Sequence, residues 1–358
     1  MARCIIHIGM AKTGSTSIQQ SLRGFADENV VYPELTGSPN HVLPMLALFT
    51  NDAVKHYTHR LRDPKEVAAY CEEAPAIMKR AIEESRGRNL IISAESISSM
   101  EPEGLRNMRD YFRAHFDEVS VVGYVRAPAG HMISAFQQRV KQGSRRLFNP
   151  AVMYRRYQDR IRKLDDVFGR EHVQLWKFDP AQFPGGCVVR DFCARLGISP
   201  PARIVRRNDA LSRQGVCLLY TYRKFLGGDT AREVDWHGRL LGRSVAGLGS
   251  DKFRLSPDLI RPLLEKNRAD IEWMEARLGQ SLHEELGEHR PGDIRDEGDL
   301  LRPDPVVVGK IIEKLGGRPP AGVTGETPEQ VGQLVDALRA KFADQRNLTL
   351  ARKLSSLR

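Results

Sequence analysis

Near the start of the chain, Lys12, Thr13, Gly14, Ser15, Thr16 and Ser17 stand together in the stretch IHIGMAKTGSTS. One ammonium, four hydroxyls and a glycine in consecutive positions form a donor set for an anion such as a phosphate or sulfate ester. The flanks say what positions them. The run CIIHI at residues 4–8 reads as a strand and the segment after Gly14 as a helix, so the loop sits at a strand-to-helix turn. Free backbone N–H groups and the positive end of a helix dipole converge at such a turn. The Walker A pattern puts its lysine directly after the second glycine, whereas Lys12 precedes Gly14, which disfavours an ordinary ATP-binding loop. The competing reading is a plain helix start, with Ser15 or Thr16 as N-cap and Lys12 solvated.

A second constellation lies in VVGYVRAPAGHMISAFQQRVK, where a strand ends in Arg126, Pro128 sets a turn and a helix follows. Met132, Ile133, Phe136 and Val140 mark the apolar side of that helix. Ser134 lies about 200° from both Met132 and Phe136 and points away from the centre of that face.

Taken together, the two segments resemble the sulfotransferases that use 3′-phosphoadenylyl sulfate (PAPS). In that family a K-[ST]-G-[ST]-[ST] loop binds the 5′-phosphosulfate, and an Arg and a Ser eight positions apart bind the 3′-phosphate. Here the loop is Lys12 to Thr16 with Ser17 next, and the pair is Arg126 and Ser134. The resemblance implies a PAPS-dependent transfer of a sulfuryl group to an acceptor hydroxyl, of a carbohydrate or glycolipid more than of a phenol. It implies that Lys12 meets the bridging oxygen as the bond breaks. Thr13, Gly14, Ser15, Thr16 and Ser17 would hold the 5′-phosphate. Basic residues after the last strand help hold the 3′-phosphate in the family, which makes Arg207 a further candidate, although the usual R-K-G triplet is absent here. The resemblance covers residues 4–290 or so in element order, and its sharp part is the two motifs.

A sulfuryl group carries less negative charge than a phosphoryl group, so no metal is expected, and the chain shows no obvious metal cluster. The acceptor hydroxyl needs a base. Glu95, in LIISAESIS, stands just past a strand, where side chains of a parallel sheet emerge toward the ligand crevice. His41, in the loop TGSPNHVLP, is the rival, because an imidazole titrates near neutrality.

Across the chain, strand-like runs at 4–8, 89–94, 118–125 and 172–178 alternate with helical stretches. That alternation specifies an α/β fold with a mainly parallel, P-loop-like sheet covered by helices on both faces. Residues 64–86, 211–225, 259–278 and 328–342 read as helices. The stretch GGRPPAGVTGE at 316–326 reads as a mobile linker, so the expected division is a main domain over 1–290 and a helical C-terminal appendage over 291–358. The C-terminal helices offer a surface for homo-oligomerisation.

With 41% hydrophobic and 28% charged residues, the composition of the 358-residue chain is ordinary for a globular protein. No apolar run is long enough to cross a bilayer, no secretory segment is visible, and the expected location is cytoplasmic. The five cysteines form no CxxC pair and read as buried or idle thiols. The net charge of +10 admits anionic partners, but basic residues are scattered instead of gathered with aromatics, against specific nucleic-acid binding. Two alternatives remain open: a phosphotransferase with an altered P-loop, for which only Asp179 could hold magnesium, and a basic nucleic-acid-binding module.

Overall fold

The computed structural model describes residues 1–10, 12–51, 63–141, 148–206, 210–226, 241–242 and 244–355, with side chains as far as residue 344. The chain divides into two compact units that interleave along the sequence. The first contains Met1–Pro128, Arg155–Asn208 and Asn267–Glu284; the second contains Ala129–Tyr154, Asp209–Lys266 and Glu285–Arg358.

The first unit is built on five strands, β1 (Arg3–His7), β2 (Val30–Val31), β3 (Asn89–Ser93), β4 (Glu118–Val125) and β5 (Val173–Lys177). They form one sheet in the order β2-β3-β1-β4-β5, and every pairing is parallel. The α/β expectation is met, and the four long strands lie within two residues of their expected bounds. β2 is too short to show in the hydrophobic pattern.

Both faces of the sheet are covered. Cys4, Ile6, Leu90, Ile92, Val119 and Val121 share one core with Met45 and Phe49 of α2 (Val42–Phe49), and with Met78 of α3 (Pro64–Glu84). The same core takes Met108 and Phe112 of α4 (Pro102–Arg113). Ile5, Ile91, Val122 and Tyr124 point the other way, toward Ile18 and Leu22 of α1 (Ser15–Leu22). Strands wrapped on both faces are apolar in near-continuous runs, which is why CIIHI shows no regular polar alternation, His7 being its one polar residue.

The second unit is helical. It holds all but the first residue of α5 (Pro128–Lys141), and its core gathers Met132, Phe136 and Val140 with Leu219 of α8 (Arg213–Phe225) and Leu334 of α13 (Pro328–Ser355). In the first unit lie α6 (Gln158–Phe168), α7 (Val188–Leu196) and α10 (Arg268–Leu278); in the second, α9 (Pro257–Lys266), α11 (Glu297–Leu301) and α12 (Pro305–Lys314).

Three details differ from the sequence reading. The helix expected over 259–278 is two helices, α9 and α10, broken at Asn267, and the unit boundary falls at that break. The segment at 316–326 is packed: Val323 belongs to the second unit's core, and the Gln330 side-chain oxygen accepts from the N–H groups of Gly325 and Glu326. The division also falls elsewhere than at residue 291, because the core of the second unit draws on chain from residue 129 onward. Among the described residues, no helix is long and apolar enough to cross a membrane.

Candidate active site

β1 is the centre of the sheet, and the chain builds outward from it on both sides, so the crevice at its carboxyl end is the expected ligand position in this topology. Three segments emerge there from three adjacent strands. β1 leads into the Gly9–Gly14 loop, β3 ends two residues before Glu95, and β4 ends one residue before Arg126.

The loop makes its turns with three residues at positive φ: Gly9 at 47°, Lys12 at 70° and Gly14 at 78°. The left-handed region is natural for glycine and costs a side-chain-bearing residue about 1–2 kcal/mol, so Lys12 is held in a strained conformation. Thr13 is fully buried, and its hydroxyl donates to the Met10 carbonyl at 2.5 Å, which closes the turn internally. Gly14 is packed as well as bent: a Cβ placed on it would lie 2.7 Å from Cγ1 of Val188, at the start of α7.

α1 begins without a side-chain cap. Its N-cap is Gly14, whose carbonyl accepts from the N–H groups of Ser17 and Ile18. The plain capped start, with Ser15 or Thr16 as N-cap, is therefore not what forms. Ser15 instead opens the helix with its hydroxyl oxygen buried and unpartnered, the side chain being 2% exposed. A buried hydroxyl without a partner is costly, and it lies at the helix end whose dipole attracts anions. Thr16 is exposed and Ser17 is buried.

Glu95 meets this end of α1. A Cβ on Gly9 would lie 3.0 Å from Cγ of Glu95 and 3.0 Å from Oγ of Ser15, so the glycine is the floor across which the two side chains face. The register explains it: His7 of β1 pairs with Ser93 of β3, and from each strand end the chain continues two residues to Gly9 and Glu95.

Arg126 closes the other side. Its Nη1 donates to the carbonyl oxygen of Lys12 at 2.9 Å, and its guanidinium stacks 5.5 Å from the centre of the Phe178 ring. Tyr157 donates from its hydroxyl to the Arg126 carbonyl at 2.7 Å. Burial pulls the Arg126 pKa below its ordinary value, an effect opposed by the charge of Glu284. Phe178, Tyr157 and Val188 carry no signal in the sequence, since each reaches the loop or Arg126 from a distant segment.

His41 is engaged elsewhere. Its Nδ1 accepts from the Ser93 N–H at 3.1 Å and its Nε2 donates to the Pro33 carbonyl at 3.0 Å, so both ring nitrogens are occupied by backbone. Burial lowers its pKa to about 4, against the smaller effect of the Pro33 contact. That geometry ties the 33–41 loop to β3 and leaves no imidazole lone pair for an acceptor proton. Ser134 lies on α5 in the second unit, half-buried between the buried Met132 and Phe136. Arg207 is outside the described residues. Asp179 follows β5, at the edge of the sheet and not beside β1, and its Oδ1 accepts from the Ala181 N–H at 3.1 Å. Among the described residues, no group of three His, Cys, Asp or Glu side chains is arranged to hold a metal ion.

No protein-family model matches the chain. No curated protein matches it by sequence. Among solved structures it is similar to a sulfotransferase from Alicyclobacillus acidocaldarius, at 18% identity and a TM-score of 0.41, over 78% of this chain and 98% of that one. It is also similar to a sulfotransferase domain from the Curacin biosynthetic pathway, at 16% identity and a TM-score of 0.33, over 56% of this chain and 76% of that one. At TM-scores below 0.5, neither likeness carries weight for the chemistry of this chain.

Proposed function

We propose that the protein is a PAPS-dependent sulfotransferase that moves a sulfuryl group to an acceptor hydroxyl, of a carbohydrate or glycolipid. The observation that carries the reading is the uncapped start of α1, where the buried, unpartnered Ser15 hydroxyl faces Glu95 across Gly9. An anion at that point satisfies the orphan hydroxyl and the helix dipole together, and a carboxylate stands next to it.

In this reading the first-turn N–H groups and the hydroxyls of Ser15, Thr16 and Ser17 hold the 5′-phosphosulfate, while Thr13 and Gly14 shape the loop. Lys12 neutralises the charge that grows on the bridging oxygen as its bond to sulfur breaks. Glu95 takes the proton from the acceptor hydroxyl as its oxygen bonds to sulfur, and adenosine 3′,5′-bisphosphate departs. Arg126 recognises the 3′-phosphate. Ser134, from its eight-residue spacing to Arg126, and Arg207, from the family resemblance, are carried in the same role; a cytoplasmic location and self-association through the C-terminal helices complete the reading.

The discriminating experiment is calorimetry of the purified protein with adenosine 3′,5′-bisphosphate, AMP and ATP. The bisphosphate should bind about ten- to a hundredfold more tightly than AMP, the worth of one charge-assisted phosphate contact. Equal affinities for the bisphosphate and AMP overturn the assignment. A magnesium-dependent phosphotransferase is separated by EDTA, which should leave sulfuryl transfer unchanged.

A further inference from the structure

The second unit contains a cleft of about 370 Å³ whose ionisable lining is Arg213, His289, Arg295, Arg302, Asp293, Asp299 and Asp304, with prolines 291, 303 and 305 also lining it. Three arginines and three carboxylates balance with His289 neutral, so what the wall would bind depends on which groups still have hydrogen-bonding capacity.

The carboxylates have little left. Asp293 is paired with Arg254, Oδ1 to Nε at 2.9 Å, and its other oxygen accepts from the Arg290 N–H at 2.9 Å. Asp299 accepts from Arg295 Nη2 at 3.4 Å on Oδ1 and from the N–H and Nε of Arg295 at 3.0 and 3.2 Å on Oδ2, and its Oδ1 also lies 3.2 Å from Arg302 Nη2 in an ion pair. Those bonds hold the Asp299 carboxyl below the usual carboxylate range, Arg295 contributing most. Asp304 caps α12, its Oδ1 accepting from the N–H groups of Val306 and Val307, and its other oxygen lies 4.0 Å from Arg213.

The guanidinium groups do have capacity. Arg295 and Arg302 are 54% and 70% exposed; Asp299 binds Arg295 through Nε and Nη2 and pairs with Arg302 at Nη2, which leaves further N–H groups on both forks unengaged. Arg213 binds Asp251 and Asp304 only through Nη2, and its Nε is buried without any partner. Gly292 packs closely against it, since a Cβ there would lie 3.4 Å from that nitrogen. Carboxylates mostly engaged and guanidinium donors left over describe a receptor for an oxyanion, because a guanidinium fork matches the geometry of phosphate and sulfate oxygens.

We propose that this cleft binds a small phosphate or sulfate monoester, its tetrahedral oxyanion held by Arg213, Arg295 and Arg302. The volume lies within the range of pockets that take whole small molecules, so the oxyanion is the head of a ligand with a body. All of these residues belong to the second unit, and none to the unit that carries the Lys12 loop.

The test is binding of phenyl phosphate, phenyl sulfate and inorganic phosphate, measured by calorimetry in the full chain. The background variant is Lys12→Ala/Arg126→Ala, which disables the loop as a competing anion site. Both monoesters should bind at micromolar to low millimolar concentration and inorganic phosphate more weakly. Arg302→Ala and Arg295→Gln should each weaken the monoesters about tenfold or more, with the melting temperature unchanged for the exposed Arg302. Binding of inorganic phosphate as tight as that of the esters would remove the ester body from the proposal and leave a free-anion site. No monoester binding at 10 mM, or binding that neither substitution weakens, overturns it.

Discussion

The Arg126 guanidinium is bonded to the main chain of Lys12, Nη1 to carbonyl oxygen at 2.9 Å, so the residue proposed for the 3′-phosphate also braces the loop proposed for the 5′-phosphosulfate. Lys12 sits at a φ of 70°, and the bond from Arg126 is one of the contacts that hold it there. A change at Arg126 should therefore act on the loop as well as on the nucleotide. Arg126→Lys keeps the charge but not the fork. It should weaken adenosine 3′,5′-bisphosphate by about ten- to a hundredfold and AMP by a smaller but measurable factor, both by calorimetry. Unchanged AMP affinity would show that the brace does not matter.

Lys12 can be separated into its charge and its backbone. Lys12→Gly removes the side chain and relieves the left-handed strain, so the melting temperature should rise, by about 1–2 kcal/mol of stability, while kcat falls by about a hundredfold or more. Lys12→Ala should lose the same activity without the gain in stability. Near-normal turnover with only a raised KM for PAPS would place Lys12 in simple binding.

Gly14 carries two constraints that a pair of substitutions resolves. Gly14→Ala meets Val188 Cγ1 at 2.7 Å and keeps φ at 78°, and should lose about 2–4 kcal/mol in urea unfolding. Adding Val188→Ala removes the clash but not the strained φ, so part of the loss should return. Additive losses in the double variant would refute the contact.

Glu95→Gln preserves size and hydrogen bonding but cannot accept a proton. Bisphosphate affinity should be retained while transfer to a hydroxyl falls about a hundredfold to ten-thousandfold, and the acidic limb of the pH profile should vanish. Normal transfer by Glu95→Gln would remove Glu95 as the base.

His7 and His41 are both buried, and burial lowers each pKa from 6.5 to about 4. The unfolded chain takes up these protons first as pH falls, so the neutral rings stabilise the fold above pH 6.5, and that contribution is lost progressively toward pH 4. Each ring accounts for ~3 kcal/mol of that slope. A His41→Gln variant should show a shallower loss of stability between pH 6.5 and 4 in urea titrations. An identical slope would mean that the ring is already accessible to protons in the folded state.

The local parts of this protein are legible in its sequence. The apolar runs at 4–8, 89–94 and 118–125 mark strands because burial on both faces leaves no polar alternation, and the crowding of Lys12, Gly14, Ser15 and Ser17 behind the first marks the strand-to-helix turn. Helix periodicity likewise places Met132 and Phe136 inward and Ser134 away from them. What the tertiary structure decides is which distant segments meet. Pairing β1 with both β3 and β4 sets Glu95 against Gly9 and Arg126 against Lys12, joining residues 86 and 114 positions apart in the chain. No periodicity encodes such neighbours, since a parallel pairing is fixed by the crossovers and by the packing they allow. The same holds for His41, whose loop position suggests a free imidazole until Ser93 and Pro33 are found on its two nitrogens. It holds too for the second unit, whose core is assembled from three separated stretches of chain because burial of apolar surface rewards contact, not sequence proximity.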